Sequence, residues 1–398
     1  MSTLTLGQLL RQHGADYLAE HAATLTAEQR RAVRDLAACG TRALGGHVWR
    51  CDHCGLDHYR YHACRNRHCP ACQGGARAAW LARESSWLLP VDYYHVVFTV
   101  PAAVGELARS NRRALYNLLL TTAQATLRTV AANPRHLGAL PGMLLVLHTW
   151  GQNLHHHPHV HAVVSGGGLA CDAQGRVTQP PRWLSCRPGF FLPVRVLSRV
   201  FRGQYLAGLR RLYDAGQLRL PAAWTAADFT SWLDEQYRRE WVVYAQPPWG
   251  GAEVVLKYLA RYVQRVALSN ERLVATDDTT VTFTWKDYAH GGKQRVQRLG
   301  VAEFLGRFLE HVLPRGLVKV RHSGLLANRE REERLVLCRW LLALARVRVA
   351  ASAAVLPASV AGGRLDTERC PVCGVGCLLL VGVLARPQAV DEVGCDSS

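Results

Sequence analysis

Long uninterrupted apolar runs are missing from this chain. The most apolar long stretch, near residues 335–360, is broken by Arg339, Arg346 and Arg348, so it reads as a core helix and not as a membrane span. The opening residues, MSTLTLGQLLRQHG, lack the charged-then-apolar-then-small order of a signal peptide, and a cytoplasmic location is expected. No GxxxxGK[ST] loop occurs, which argues against chemistry driven by a nucleotide. No repeat of solenoid type is found either. Acidic residues are scarce: 30 Asp plus Glu stand against 48 Lys plus Arg, a formal charge of +18. On a folded protein that surplus favours a polyanionic partner, of which nucleic acid is the commonest.

What is present describes a folded protein of more than one domain. The 398 residues exceed one ordinary core, and 49% hydrophobic with 20% charged residues is a globular composition. Helical spacing runs over residues 4–38 and 104–132, and a basic amphipathic helix over 194–215. YYHVVFTV (93–100), LLVLHTW (144–150) and HVHAVVS (159–165) read as strands, with a shorter one at 241–245. The stretch 271–300 suggests a small antiparallel sheet, SGGGLACDAQGRVTQPP a Gly- and Pro-rich loop, and the tail after about 360 an irregular segment. The boundaries drawn are 1–80 for a helical and zinc-binding domain, 81–330 for a nuclease-like domain and 331–398 for a C-terminal helix and tail.

In a reducing compartment the 13 cysteines argue for metal ligands before disulfides. Cys51 and Cys54 form one C-x-x-C knuckle, and Cys69 and Cys72 form another after fourteen intervening residues. Four thiolates at that spacing can close a tetrahedron around a structural Zn2+. Cys64 and His68 lie between the pairs, either as substitute ligands or as residues packed around the site. Arg50, Arg60, Arg65 and Arg67 surround the cluster, and Arg65 and Arg67 are candidate DNA contacts. A further knuckle, Cys370 and Cys373, is followed by Cys377 and Cys395, but a fourth ligand is poorly placed for a second site.

The segment GQNLHHHPHVHAVVSGGG is the most informative. On a strand, residues two apart share a face, so His159 and His161 point one way while Val160, Ala162 and Val164 point the other. Two imidazoles on one rigid strand make a platform for a divalent metal. Gln152 ends the preceding strand and can supply a third, oxygen ligand; His155 and His157 are the alternatives.

Residues 253–268, EVVLKYLARYVQRVAL, have helical spacing. Tyr258 and Tyr262 are four apart, with β-carbons roughly 6 Å from one another on one face. Lys257, Arg261 and Arg265 form a cationic stripe beside them, suited to DNA phosphates. Tyrosine hydroxyls next to such a stripe suit attack on a phosphodiester.

Taken together, the zinc segment ending RNRHCPAC, the FTVP strand end, NLHHHPHVHAVVSGGG and KYLARYVQRVALSN occur in the order of a known family. The chain resembles the two-tyrosine rolling-circle transposases of insertion-sequence family 91, within the HUH (His-hydrophobic-His) endonucleases. WKDYAHGGK and HVLPRGLVKVRHSGLLANR are similar to further family segments, and the likeness runs from about residue 40 to 330. It implies an α+β fold with a central antiparallel sheet and flanking helices, preceded by a helical and zinc-ribbon-like domain. It also implies that His159 and His161, with an upstream polar residue met by Gln152, hold Mg2+ or Mn2+, and that Tyr258 and Tyr262 are the nucleophiles. Gln264 stands where members of the family are expected to carry His. The expected partner is single-stranded DNA at element ends and targets, in a bacterial cytoplasm, with the protein on the nucleoid when bound. Two other readings are a zinc-dependent DNA binder derived from a decayed transposase and a His-metal hydrolase of small phosphoesters.

Overall fold

The computed structural model describes residues 4–246, 267–349 and 369–387. It opens with two helices, α1 (Leu6–Glu20) and α2 (Ala27–Ala38). Each starts on a threonine whose side chain accepts from the backbone of a glutamine three residues on, while that glutamine caps the threonine in return. Strands β1 (Gly46–Cys51) and β2 (Asp57–Tyr61) then form a hairpin, and α3 (Gln73–Ser86) leads into the central sheet.

That sheet is antiparallel throughout. Its strands are β3 (Tyr93–Thr99), β4 (Ala139–Trp150), β5 (His156–Ala170), β6 (Trp183–Ser185), β7 (Val243–Gln246) and β11 (Val320–Gly324). The order is β11-β4-β5-β3-β7, with β6 on the far end of β5, so β5 lies in the middle. Helices α4 (Ala102–Ser110), α5 (Arg112–Ala132) and α6 (Val194–Asp214) cover one face, and α7 (Ala226–Arg238) packs beyond them. Val160, Ala162 and Val164 of β5 meet Phe98, Leu145, Leu147, Leu119 and Phe201 there, all fully or almost fully buried. The period-two alternation of β5 thus sends its apolar residues into this core and its histidines to the opposite face.

The glycine run 166–168 is not a loop. It continues β5 beyond Ser165, because its strand neighbours come too close for a side chain. A Cβ on Gly168 would lie 2.2 Å from the carbonyl oxygen of Leu140. Only the segment after Ala170 turns away.

A second sheet follows, with β8 (Leu273–Thr276), β9 (Thr280–Asp287) and β10 (Lys293–Gly300) in sequence order. It matches the small antiparallel sheet expected over 271–300. Helix α8 (Val301–Glu310) joins it to α1 and α2 through a core containing Leu6, Leu9, Val33, Phe283, Phe304 and Phe308. The buried amide of Gln29 donates to the Leu309 carbonyl oxygen at 2.9 Å and ties α2 to α8.

After α9 (Arg331–Val349) the described chain resumes with β12 (Leu378–Leu384), a strand where an irregular tail was expected. β12 pairs with β1, giving a third sheet of order β12-β1-β2. The C-terminal tail therefore belongs structurally with the N-terminal hairpin. No helix among the described residues is long and apolar enough to cross a membrane.

Candidate functional site

The register of three strands assembles a cluster of imidazoles on the face opposite the helical core. His159 of β5 sits directly across from His148 of β4, and His161 is two residues further along β5. Ligand atoms of His148, His159 and His161 all lie within 4.8 Å of one another. The Nε2 atoms of His159 and His161 are 3.0 Å apart, close to the spacing of two nitrogens bound at about 2.1 Å to one ion. His159 donates from Nδ1 to the His157 carbonyl oxygen at 2.7 Å, which leaves its Nε2 lone pair facing the cluster. Nδ1 of His161 lies 2.7 Å from Nε2 of His95 on β3, so a fourth imidazole orients the second ligand from behind.

Burial keeps these rings neutral. It holds His159 down to about 4, moves His161 well below its ordinary value, and lowers His95 in the same direction. A neutral imidazole is the form that binds a metal.

The expected strand face for His159 and His161 is thus present, and the residue brought opposite them is a third histidine. His148 was hidden in LLVLHTW because its partner is fixed by β4–β5 pairing and not by neighbours in sequence. The signal available was alternation along β4, which puts Leu144, Val146, His148 and Trp150 on one face. Gln152 lies in the turn beyond β4. Its carbonyl oxygen accepts from Arg272, and it lines a cleft together with Trp150, Arg272, Trp285, Lys286 and Tyr288. Trp150 stacks on His148 at 4.6 Å between ring centres, so the cleft abuts the imidazole cluster. His155 is exposed at the turn, with Nδ1 3.1 Å from the Asn153 amide nitrogen.

Tyr258, Tyr262, Lys257, Arg261, Arg265 and Gln264 lie outside the described residues. The described chain stops at Gln246, the end of β7 opposite His95, and resumes at Ala267 in the wall of the cleft.

The cysteines are sorted differently from the single site expected. Cys69 and Cys72 group with Cys39 and Cys64, and Cys51 and Cys54 group with Cys370 and Cys373. In the first group Sγ–Sγ distances are 3.4 Å (Cys39–Cys72), 3.5 Å (Cys39–Cys69) and 3.6 Å (Cys64–Cys72). The edge of a thiolate tetrahedron with zinc–sulfur bonds of ~2.3 Å is ~3.8 Å. The sulfur contact between Cys64 and Cys69 pulls the Cys64 thiol down and pushes the Cys69 thiol up. The reason the two C-x-x-C pairs cannot meet is the hairpin between them. Cys51 ends β1, whereas Cys64 follows β2 at the other end, and the strand's length of about 17 Å separates the two.

His68 is no ligand of either group. It is buried, and its Nε2 accepts the backbone N–H of Leu313 at 3.1 Å. Arg67 is exposed, and its guanidinium donates to the carbonyl oxygens of Leu313, Pro314 and Leu317, fastening the zinc segment to the chain after α8. Arg65 is exposed, with a left-handed backbone at φ 54°.

Two further histidines beside the site, the buried His311 and the half-buried His156, set an acid limit on the fold. Tyr116 donates to Nε2 of His156 at 2.7 Å, and His311 contacts the Leu154 carbonyl oxygen through Nε2 at 3.0 Å. Burial lowers His156 to about 3 and His311 to about 4. The unfolded chain binds protons on these rings near pH 6.5, and the folded chain does so only near 3 to 4. Their stabilising contribution is therefore complete above about pH 6.5 and is lost as pH falls toward 4. Thermal melts at pH 7.5 and pH 5 are expected to show a lower Tm at pH 5. For a His311→Gln variant the drop should be smaller, and an equal drop would exclude His311 as a source.

Comparison with known proteins places these features. Residues 9–100 match the family described as "Transposase zinc-binding domain", and residues 142–334 match the family described as "Putative transposase". The "Putative transposase y4qJ" of Sinorhizobium fredii is 47% identical over 343 residues, covering 85% of this chain and 84% of that protein. The "Transposase for insertion sequence element IS801" of Pseudomonas savastanoi pv. phaseolicola is 28% identical over 353 residues, covering 86% of this chain and 81% of that protein. No solved structure matches.

Proposed function

Because this chain belongs to the insertion-sequence 91 family of transposases, we propose that it cuts and rejoins single-stranded DNA at element ends through Tyr258 and Tyr262, at a site built on His148, His159 and His161. The carrying observation is the cluster of neutral imidazoles on the central strand pair.

The chemistry follows from the residue types. The tyrosine oxygen bonds to the scissile phosphorus, the bond to the 3′ oxygen breaks, and that oxygen takes a proton. The products are a 5′-phosphotyrosine and a free 3′-hydroxyl. Attack of a 3′-hydroxyl on the phosphotyrosine reverses the step and restores the tyrosine, so rejoining consumes no nucleotide. A tyrosine hydroxyl with a pKa near 10 is a weak nucleophile at neutral pH, so the site must assist it. A bound Mg2+ or Mn2+ would polarise the scissile phosphate and offset charge in the transition state. The donor set fits such an ion: His148, His159 and His161 would hold it, with His95 fixing the ring of His161. Three imidazoles are a softer set than Mg2+ prefers, which favours Mn2+.

The cleft beside His148 supports DNA as the substrate. Trp285 and Tyr288 offer ring faces to unpaired bases, and the exposed Lys286 offers charge to phosphates. The intact imidazole cluster supports an enzyme over a zinc-dependent DNA binder without catalysis. A small-phosphoester hydrolase would leave both the cleft and the +18 charge without a use.

The experiment is incubation of zinc-loaded protein with end-labelled single-stranded element ends and Mn2+, followed by a denaturing gel. A labelled band that survives denaturation and disappears with EDTA is the expected result. Cleaved DNA with no protein attached would point to water as the nucleophile and overturn the reading.

A further inference from the structure

We propose that Cys51, Cys54, Cys370 and Cys373 bind a zinc ion of their own, which clasps the C-terminal tail onto the N-terminal hairpin. The family match for zinc binding ends at residue 100, so it includes half of this ligand set at most.

The four sulfurs are already arranged for it. Cys51 and Cys373 are 3.7 Å apart and Cys54 and Cys370 are 3.8 Å apart, the edge length of a zinc tetrathiolate at ~3.8 Å. The two knuckles are built alike. Both read C-x-x-C-G: Cys51 to Gly55 and Cys370 to Gly374. In each, the glycine N–H donates to the carbonyl oxygen of the first cysteine, at 3.1 and 2.9 Å, and the glycine is left-handed, at φ 71° and 69°. In each, a backbone N–H points at a sulfur: Cys54 to Cys51 and Gly376 to Cys373, both at 3.4 Å. Such bonds favour thiolates over thiols. Gly376 also has to be glycine, since a Cβ there would lie 2.5 Å from the Cys51 sulfur. The knuckle at Cys69 and Cys72 lacks the glycine and belongs to the other cluster.

Packing alone does not account for this junction. Among the described residues, the only other buried or half-buried apolar ones grouped with these cysteines are Leu378 and Trp49. Leu379, Leu380, Val381 and Val383 of β12 are half or more exposed. A strand returning from over 300 residues away, with so little area buried, needs a cross-link to stay paired. Zinc supplies one, and four sulfurs in a tetrahedron are the ligand set it prefers. The two ligand sets then interleave along the chain: Cys39, then Cys51 and Cys54, then Cys64, Cys69 and Cys72, then Cys370 and Cys373. The clasp makes the tail a structural part of the zinc-binding domain, with the nuclease sheet lying between its two contributions.

The test is metal content and hydrogen exchange on the full chain. Wild-type protein should carry two zinc equivalents. Cys370→Ser with Cys373→Ser should carry one, and amides of residues 46–51 and 378–384 should exchange faster while those of the central sheet are unchanged. Cys39→Ser with Cys64→Ser should lose the other equivalent. One equivalent in folded wild-type protein, or two in the Cys370/Cys373 variant, overturns the proposal, as does iron in place of zinc. Should that variant fail to fold, stepwise chelation of wild-type protein replaces it. Loss of one equivalent should coincide with release of residues 378–384; removal of both ions with no change in their exchange would overturn the clasp. None of these readouts depends on DNA cleavage, so the outcome is separate from that of the proposed function.

Discussion

Phenylalanine at both 258 and 262 is expected to abolish the covalent protein–DNA adduct while leaving DNA binding within about twofold of wild type, because phosphate contacts by Lys and Arg carry most of the affinity. Each substitution removes one oxygen and keeps the ring, so loss of adduct can be assigned to the nucleophile and not to packing. The single variants Tyr258→Phe and Tyr262→Phe should each impair complete strand transfer, and at least one should still form an adduct. One imidazole cluster is present among the described residues, so the two tyrosines are expected to use it in turn. The measurement is adduct yield for wild type, both single variants and the double variant on one labelled oligonucleotide, with peptide mapping of the linked residue. An adduct formed by the double variant, or one mapping outside residues 253–268, would show that the nucleophiles lie elsewhere.

Removing an imidazole from the cluster is expected to cost nearly as much. His159→Ala and His161→Ala should each lower cleavage by more than about 100-fold, since loss of even an outer partner of a ligand costs about 10- to 100-fold in metal affinity or activity. His148→Ala separates the structural reading from the turn residue. If His148 is the third donor, its loss should raise the Mn2+ concentration needed for half-maximal cleavage far more than Gln152→Ala does. His95→Ala should show a smaller shift, because His95 acts only by orienting His161. Single-turnover cleavage across a Mn2+ titration reads all of these. A Gln152→Ala variant with the larger shift would return the third position to the turn. Full cleavage by a His159→Ala, His161→Ala double variant would exclude the site altogether.

The strand face of the candidate site is legible in the sequence alone. HVHAVVS alternates with period two, and that alone puts His159 and His161 on one face and Val160 and Ala162 on the other, as β5 shows. The strands at 93–100 and 144–150 were marked by β-branched and aromatic runs, and the small sheet at 271–300 by its turns. The glycine run after Ser165 misled because glycine signals both a turn and a close approach. Only the neighbouring strands show which applies, and the 2.2 Å clearance at Gly168 decides for the second.

The sequence by itself determined the residue chemistry, the local periodicity and the family, because these depend on side-chain type and on spacing within a few residues. Two C-x-x-C knuckles in one short segment invited a single four-thiolate site, yet a rigid hairpin keeps their sulfurs apart. Each knuckle instead finds partners at the end of the hairpin where it lies: Cys39 and Cys64 at one, Cys370 and Cys373 at the other. The same holds for His148, which meets His159 only because β4 and β5 pair in one register, and for Arg67, whose charge is used on carbonyl groups 246 to 250 residues away. Tertiary structure alone decided these matters, because strand register and hairpin length fix which distant atoms come within bonding range, and no local pattern encodes them.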